Sequence, residues 1–259
     1  MKLYQECIGH GSPVLLIHGV LSDHTFFSGV AQHLSNHCKV ILYDRSGYGE
    51  SPTVDGADYS LRTQAKEAYQ VLKEFTDEPA CIVGHSAGAH IALELAIQHP
   101  QIVKSLVLIE PSLGSHPEDV QILARWHNEL ADFVWHKQHL KILTSFQKIT
   151  GTKRSKKTAS SLYSRPVQMD RMRKNLEAFV RGELWEMDTF APPEALLRQL
   201  SVPITVAVTQ HNPDNLFFNT AMHDGTYFEW PVVSFPGSHS SIEEHAELFA
   251  KQLIELLQI

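Results

Sequence analysis

Short apolar runs alternating with longer amphipathic stretches constrain the fold of this chain more than any other feature. Residues 13–18 (PVLLIH), 39–44 (KVILYD), 80–84 (ACIVG) and 105–110 (SLVLIE) are brief and rich in Val, Ile and Leu. Strands that are apolar throughout are buried on both faces, as in a parallel sheet. Between them, residues 26–34, 61–75 and 87–99 read as amphipathic helices. Strand and helix in strict alternation require crossover connections, so the expected fold is α/β, with helices on both faces of a mostly parallel sheet.

The alternation stops after Pro111. From Leu113 to about Leu200 the chain reads as helices and loops. Strand patterning resumes at residues 203–209 (PITVAVT) and 232–235 (VVSF), and an amphipathic helix spans 242–257. The expectation is one core, residues 1–111 and 201–259, interrupted by a helical cap at 112–200. A length of 259 residues suits one core plus an inserted lobe.

Candidate chemistry sits where the expected strands end. GHSAG at 84–88 matches G-x-S-x-G between a strand and a helix, the context of a nucleophile elbow. Such a turn strains the serine backbone, and Gly84 and Gly88 relieve the crowding. It lifts the Ser86 hydroxyl above the sheet edge, at the N-terminus of the next helix. His18-Gly19-Val20 follows the first apolar run. An acyl-transfer site needs two backbone N–H groups for the oxyanion, one just after the nucleophile and one from an earlier strand-end loop. Ala87 and Val20 are the candidates. A general base is expected late in the chain, and His239 in PGSHS lies on a loop after the last strand. His245 is its nearest rival but falls within the last helix, and His85 is expected to shape the pocket wall.

Composition narrows the classes. A net charge of -7 disfavours general nucleic-acid binding, which demands a basic surface. Cys7, Cys38 and Cys81 are odd in number, widely spaced and without a CxxC pair, so neither a disulfide framework nor a zinc site is expected. No stretch approaches the roughly 20 apolar residues of a membrane span. The start of the chain lacks the apolar core of a signal peptide. A cytoplasmic protein is expected.

HG after the first strand, DRSGYGES at 44–51, GHSAG and the PGSH…EEHAELF ending together resemble the α/β-hydrolases over the whole core. DRSGYGES is similar to the family's D-x-x-G-x-G-x-S loop, read as a fold marker and not a catalytic element. The resemblance implies a Ser-acid-His triad that cleaves a carboxylic ester, thioester or lactone through an acyl-enzyme, with no cofactor or metal. It also implies alternatives on the same triad: a C–C hydrolase, perhydrolase or hydroxynitrile lyase, or a ligand-binding homologue without turnover. One position departs from the commonest family pattern. Where an aspartate follows the strand after the cap, this chain has Asn212, and an amide cannot stabilise an imidazolium as a carboxylate does. Glu110 is the expected acid, with Asp214 as the alternative. Glu110, 24 residues past Ser86, resembles the strand-tip acid of some lactonases and the haloalkane dehalogenases. Asp214 lies two residues beyond Asn212.

The expected cap carries large apolar side chains, among them Trp126, Trp135, Phe146, Met169, Phe179 and Trp185. Most are expected in a small helical core, with some facing a substrate that has an apolar part. Between Lys137 and Lys174 lie eleven Lys and Arg against the single acid Asp170. A solvated face is the expected reading of that charge. The alternative is a docking site for an acyl carrier or coenzyme A moiety, densest at KRSKK, residues 153–157.

Overall fold

The structure, a computed structural model, describes residues 2–53, 56, 58–151, 166–186, 191–209, 214–240 and 242–259. Seven strands form one sheet: β1 (Gln5–Ile8), β2 (Pro13–Ile17), β3 (Lys39–Tyr43), β4 (Ala80–His85), β5 (Val103–Ile109), β6 (Ile204–Val208) and β7 (Val232–Ser234). Their order is β1-β3-β2-β4-β5-β6-β7, and only the β1–β3 pairing is antiparallel. α1 (Thr25–Leu34), α2 (Leu61–Phe75) and α3 (Ala87–Gln98) connect the early strands. The mostly parallel α/β architecture read from the sequence is the one observed.

The pleat sorts the strands' apolar residues into two cores. Leu15, Ile17, Ile41 and Ile82 pack with Leu72 of α2 and Ile91 of α3 on one face. Val14, Leu16, Val40 and Val83 pack on the other face, with Phe27 of α1 and Phe249 of the last helix. The central strands β2, β3 and β4 are buried on both sides, hence the lack of polar alternation in their sequences. α2 is amphipathic and starts where Ser60 Oγ accepts a hydrogen bond from the Thr63 N–H at 3.3 Å, an N-cap.

Between β5 and β6 come α4 (Pro117–Trp135), α5 (His139–Ile149), α6 (Pro166–Ala178) and the single turn α7 (Glu194–Leu197). α6 runs on into a π-helical segment, Phe179–Glu183. Trp126, Leu130, Ile142, Phe179 and Leu184 form their apolar centre, which reaches the sheet layer through Phe217 and the partly buried Val20 and Leu21. Not all of the large side chains expected inside are there: Trp135 is 83% exposed and Trp185 58%. The KRSKK segment lies outside the described residues.

Two elements lack a counterpart in the sequence reading. β1 is a four-residue edge strand with no buried residue, and α8 (Leu216–Tyr227) fills the gap between β6 and β7. The final amphipathic stretch is divided, with a 3₁₀ turn at Ile242–His245 ahead of α9 (Ala246–Leu257). Among the described residues no helix is long and apolar enough to cross a membrane.

Candidate active site

Ser86 joins β4 directly to α3 with φ 53° and ψ -122°, a backbone conformation that L-residues rarely adopt. Its N–H donates to the Ile109 carbonyl at 2.9 Å, which extends the β4–β5 ladder into the turn. The glycines around it are obligatory. A Cβ on Gly84 would collide with the Gly88 carbonyl, and one on Gly88 with the carbonyls of Ile17 and His18. The chain is thereby forced into a sharp elbow with Ser86 at its apex, over the N-terminus of α3.

Glu110 stands one strand away and is also held at positive φ, 45°. Its N–H donates to Ala207 O at 2.8 Å, so the β5–β6 ladder fixes it as the β4–β5 ladder fixes Ser86. The carboxylate is completely buried and fully engaged. His239 Nδ1–H donates to Oε2 at 2.6 Å, and Asn215 Nδ2 donates to the same oxygen at 3.2 Å. Oε1 accepts from the Thr209 N–H at 2.9 Å and from the Thr209 hydroxyl. Burial raises the carboxyl pKa, but the His239 and Thr209 bonds outweigh it and hold the value at about 2. Glu110 is therefore an anion aimed at an imidazole. Of the two candidate acids, the structure brings Glu110 to His239; Asp214 is exposed on the turn before α8. Asn212 lies outside the described residues.

His239 is fixed from other directions as well. Phe217 of α8 stacks on its ring at 4.5 Å, and His85 Nε2–H donates to its backbone carbonyl at 2.8 Å. Burial and the neighbouring His239 push the His85 pKa well below the usual imidazole value, so His85 is neutral. The role expected for His85, a pocket wall, gives way to a brace: it packs between Phe26 and the His239 loop.

The second oxyanion candidate is held by residues whose part the sequence reading missed. Gly19 O accepts from Arg45 Nη2 at 2.8 Å and from His18 Nδ1–H at 2.9 Å. The Gly19–Val20 peptide is trans and planar, so anchoring its oxygen points the Val20 N–H the opposite way. The His18 tautomer is defined, since Nε2 accepts from the Arg45 N–H at 3.1 Å. Burial, with the charge of Arg45 beside it, depresses its pKa to about 4. Arg45 is itself fully buried and bonded to Glu183 of the π-helical segment, with Nη1 to Oε1 at 2.6 Å. Tyr48 donates its hydroxyl to the other Glu183 oxygen. DRSGYGES, read as a fold marker, thus supplies the cation that pins the Gly19–Val20 loop. An arginine two residues past the end of the buried strand β3 was the available signal.

Ser86, Ala87 and Val20 line one cavity of about 190 Å³, together with Leu123 and Trp126 of α4 and Phe217. An apolar cavity of about 150 Å³ suffices for benzene. The site therefore offers a hydroxyl on a strained elbow, a carboxylate-bound imidazole and two backbone amides beside a small, mostly apolar space.

A mostly parallel sheet with a strained serine turn at one strand end and a histidine held by a strand-tip carboxylate places the chain among α/β proteins of one recurring architecture. The model of the alpha/beta hydrolase fold family matches residues 12–245, and this chain belongs to that family. An uncharacterized hydrolase, YraK of Bacillus subtilis, is 26% identical over 99% of this chain and 93% of its own length. Among solved structures, the esterase EaEST from Exiguobacterium antarcticum superposes with a TM-score of 0.76 at 19% identity, covering 100% of this chain and 96% of that one. The meta-cleavage product hydrolase CumD from Pseudomonas fluorescens gives 0.68 at 16% identity, over 99% and 94%. At these identities the solved structures speak to the fold alone.

Proposed function

We propose that this protein is a serine hydrolase that cleaves a carboxylic ester, thioester or lactone through an acyl-enzyme. The observation that carries the reading is the 2.6 Å bond from His239 Nδ1–H to the buried Glu110 carboxylate, beside a cavity lined by Ser86. With Nδ1 protonated and tied to Glu110, the Nε2 lone pair is left to accept a proton. His239 takes the Ser86 hydroxyl proton as the oxygen attacks the carbonyl, and Glu110 offsets the imidazolium charge. The Val20 and Ala87 N–H groups receive the oxyanion, helped by the positive end of α3. The imidazolium protonates the leaving alcohol or thiol, or the ring oxygen of a lactone. Water then repeats the attack on the acyl-enzyme. The helices between β5 and β6 serve as its cap.

A panel of p-nitrophenyl esters from acetate to octanoate, with one meta-cleavage product beside them, tests the reading. Ester turnover that Ser86→Ala abolishes supports it. Turnover of the meta-cleavage product alone moves the function to C–C hydrolysis, and no turnover of either removes the hydrolase reading.

A further inference from the structure

Away from the serine site, two histidines and a buried carboxylate converge where α4 meets α8. Asp119, in the first turn of α4, is 3% exposed, and its Oδ2 accepts from His223 Nδ1–H of α8 at 2.7 Å. His116, the residue just before α4, places its ring 4.7 Å from that of His223. The candidate ligand atoms of all three lie within 4.8 Å of one another. Asp224 adds a second buried carboxylate next to His223 and is committed elsewhere: it accepts from the N–H groups of Leu113 and Ser115 and from the Ser115 hydroxyl.

We infer that His116, Asp119 and His223 form a binding site for one divalent transition-metal ion of the zinc type, which clasps α4 to α8. Two imidazoles and a carboxylate are the donor set such ions accept, with water filling the fourth position. Tetrahedral coordination at about 2.0–2.1 Å from the metal sets the donors roughly 3.3 Å apart. The Asp119–His223 pair needs to open by only about 0.6 Å to reach that separation. His223 is exposed on its α8 face and has room to turn, whereas Asp119 is held by burial. The ion takes the place of the proton that now bridges Oδ2 and Nδ1, and that proton leaves to solvent. Two buried carboxylates, Asp119 and Asp224, favour the added positive charge. Sequence spacing hides this site, because its ligands come from two helices more than a hundred residues apart.

The clasp has a structural consequence. α4 supplies Val120, Leu123 and Trp126 to the cavity wall, and Val120 directly follows Asp119. A bound ion therefore fastens the wall of the cavity to the helix that carries Phe217.

Calorimetric titration with ZnCl₂ tests the site, using wild type, His116→Ala, His223→Ala and the exposed-surface control His10→Ala. Both ligand substitutions fall on exposed residues, so the variants fold. The expected result is one tight site in wild type and in His10→Ala, weakened at least tenfold in each ligand variant. Thermal unfolding should match it, with Zn²⁺ raising Tm of the wild type and not of His223→Ala. Equal affinity in all four proteins, or no tight site in wild type, overturns the proposal and leaves an Asp119–His223 hydrogen bond with the His116 ring beside it. No turnover is read, so the outcome is independent of the ester-hydrolase reading.

Discussion

Glu110 spends the stability of its neighbourhood on remaining charged. A fully buried carboxylate at positive φ persists only because His239, Thr209 and Asn215 surround it. Its folded pKa of about 2 lies below the ordinary 4.5, so its contribution to stability is complete above 4.5 and is lost as pH falls toward 2. Denaturant titrations between pH 6 and 2.5 should show that acid-side loss in wild type and a shallower one in Glu110→Gln. On activity, Glu110→Gln should lower kcat on the order of 10⁴-fold, since an amide neither orients nor offsets the imidazolium. Asp214→Asn should stay within about twofold of wild type, as surface changes do. Ser86 and Glu110 stood out in the sequence because each sits at the end of an apolar run, and His239 because it follows the last one. The preference for Glu110 over Asp214 came from resemblance, and the contact behind it was not legible. It depends on which loop folds back to the β5 tip, a matter of tertiary structure. The part played by Arg45 was hidden for the same reason, since its partner Glu183 lies 138 residues downstream.

Among the elements, the π-helical segment Phe179–Glu183 has the most to do for its length. It puts Glu183 onto Arg45 inside the protein, and Arg45 in turn anchors the Gly19 carbonyl. π-helical turns often mark functional positions. Glu183→Ala leaves a buried, unpaired guanidinium and should cost about 3–5 kcal/mol in urea unfolding. Its kcat should also fall in proteins that remain folded at the assay temperature, because the Val20 amide loses its alignment. Losing one oxyanion donor costs about 10²–10³-fold, which sets the upper bound. The elbow makes a comparable demand at Gly88, where alanine meets backbone and not a movable side chain. The long periodic helices α2 and α3 could be read from sequence almost to the residue. β1 and α8 could not: β1 is four residues on an edge, while α8 carries Asn219, Asp224 and Gly225, which dilute a helical signal. α8 is made a helix by packing, with Phe217 buried toward His239 and Ala221 against β6.

Across the whole molecule, Ser86 and Glu110 stand at the ends of sheet strands, and α4 supplies Leu123 and Trp126 to the wall of the cavity beside Ser86. A cavity of about 190 Å³ lined by Leu123, Trp126 and Phe217 suits a short acyl chain. Acetate and butyrate esters should therefore exceed octanoate in kcat/KM by about tenfold, the discrimination an apolar pocket of fixed size achieves. Leu123→Ala should raise octanoate turnover relative to acetate; an unchanged ratio would place the acyl group elsewhere. The sheet covered by helices on both faces was visible in the chain, because burial on both sides leaves an unmistakable apolar pattern. Which insertion side chains face inward was not, as Trp135 and Trp185 show.

The central claim is that Ser86 is a nucleophile activated by the Glu110–His239 pair. Its most direct test is the rate of labelling by a fluorophosphonate probe, read at peptide level by mass spectrometry. Wild type, Ser86→Ala, Glu110→Gln and Asp214→Asn are compared side by side. The account predicts label on Ser86, none in Ser86→Ala, labelling slowed by orders of magnitude in Glu110→Gln and unchanged in Asp214→Asn. Label on another residue, or equal rates in Glu110→Gln and wild type, would contradict it.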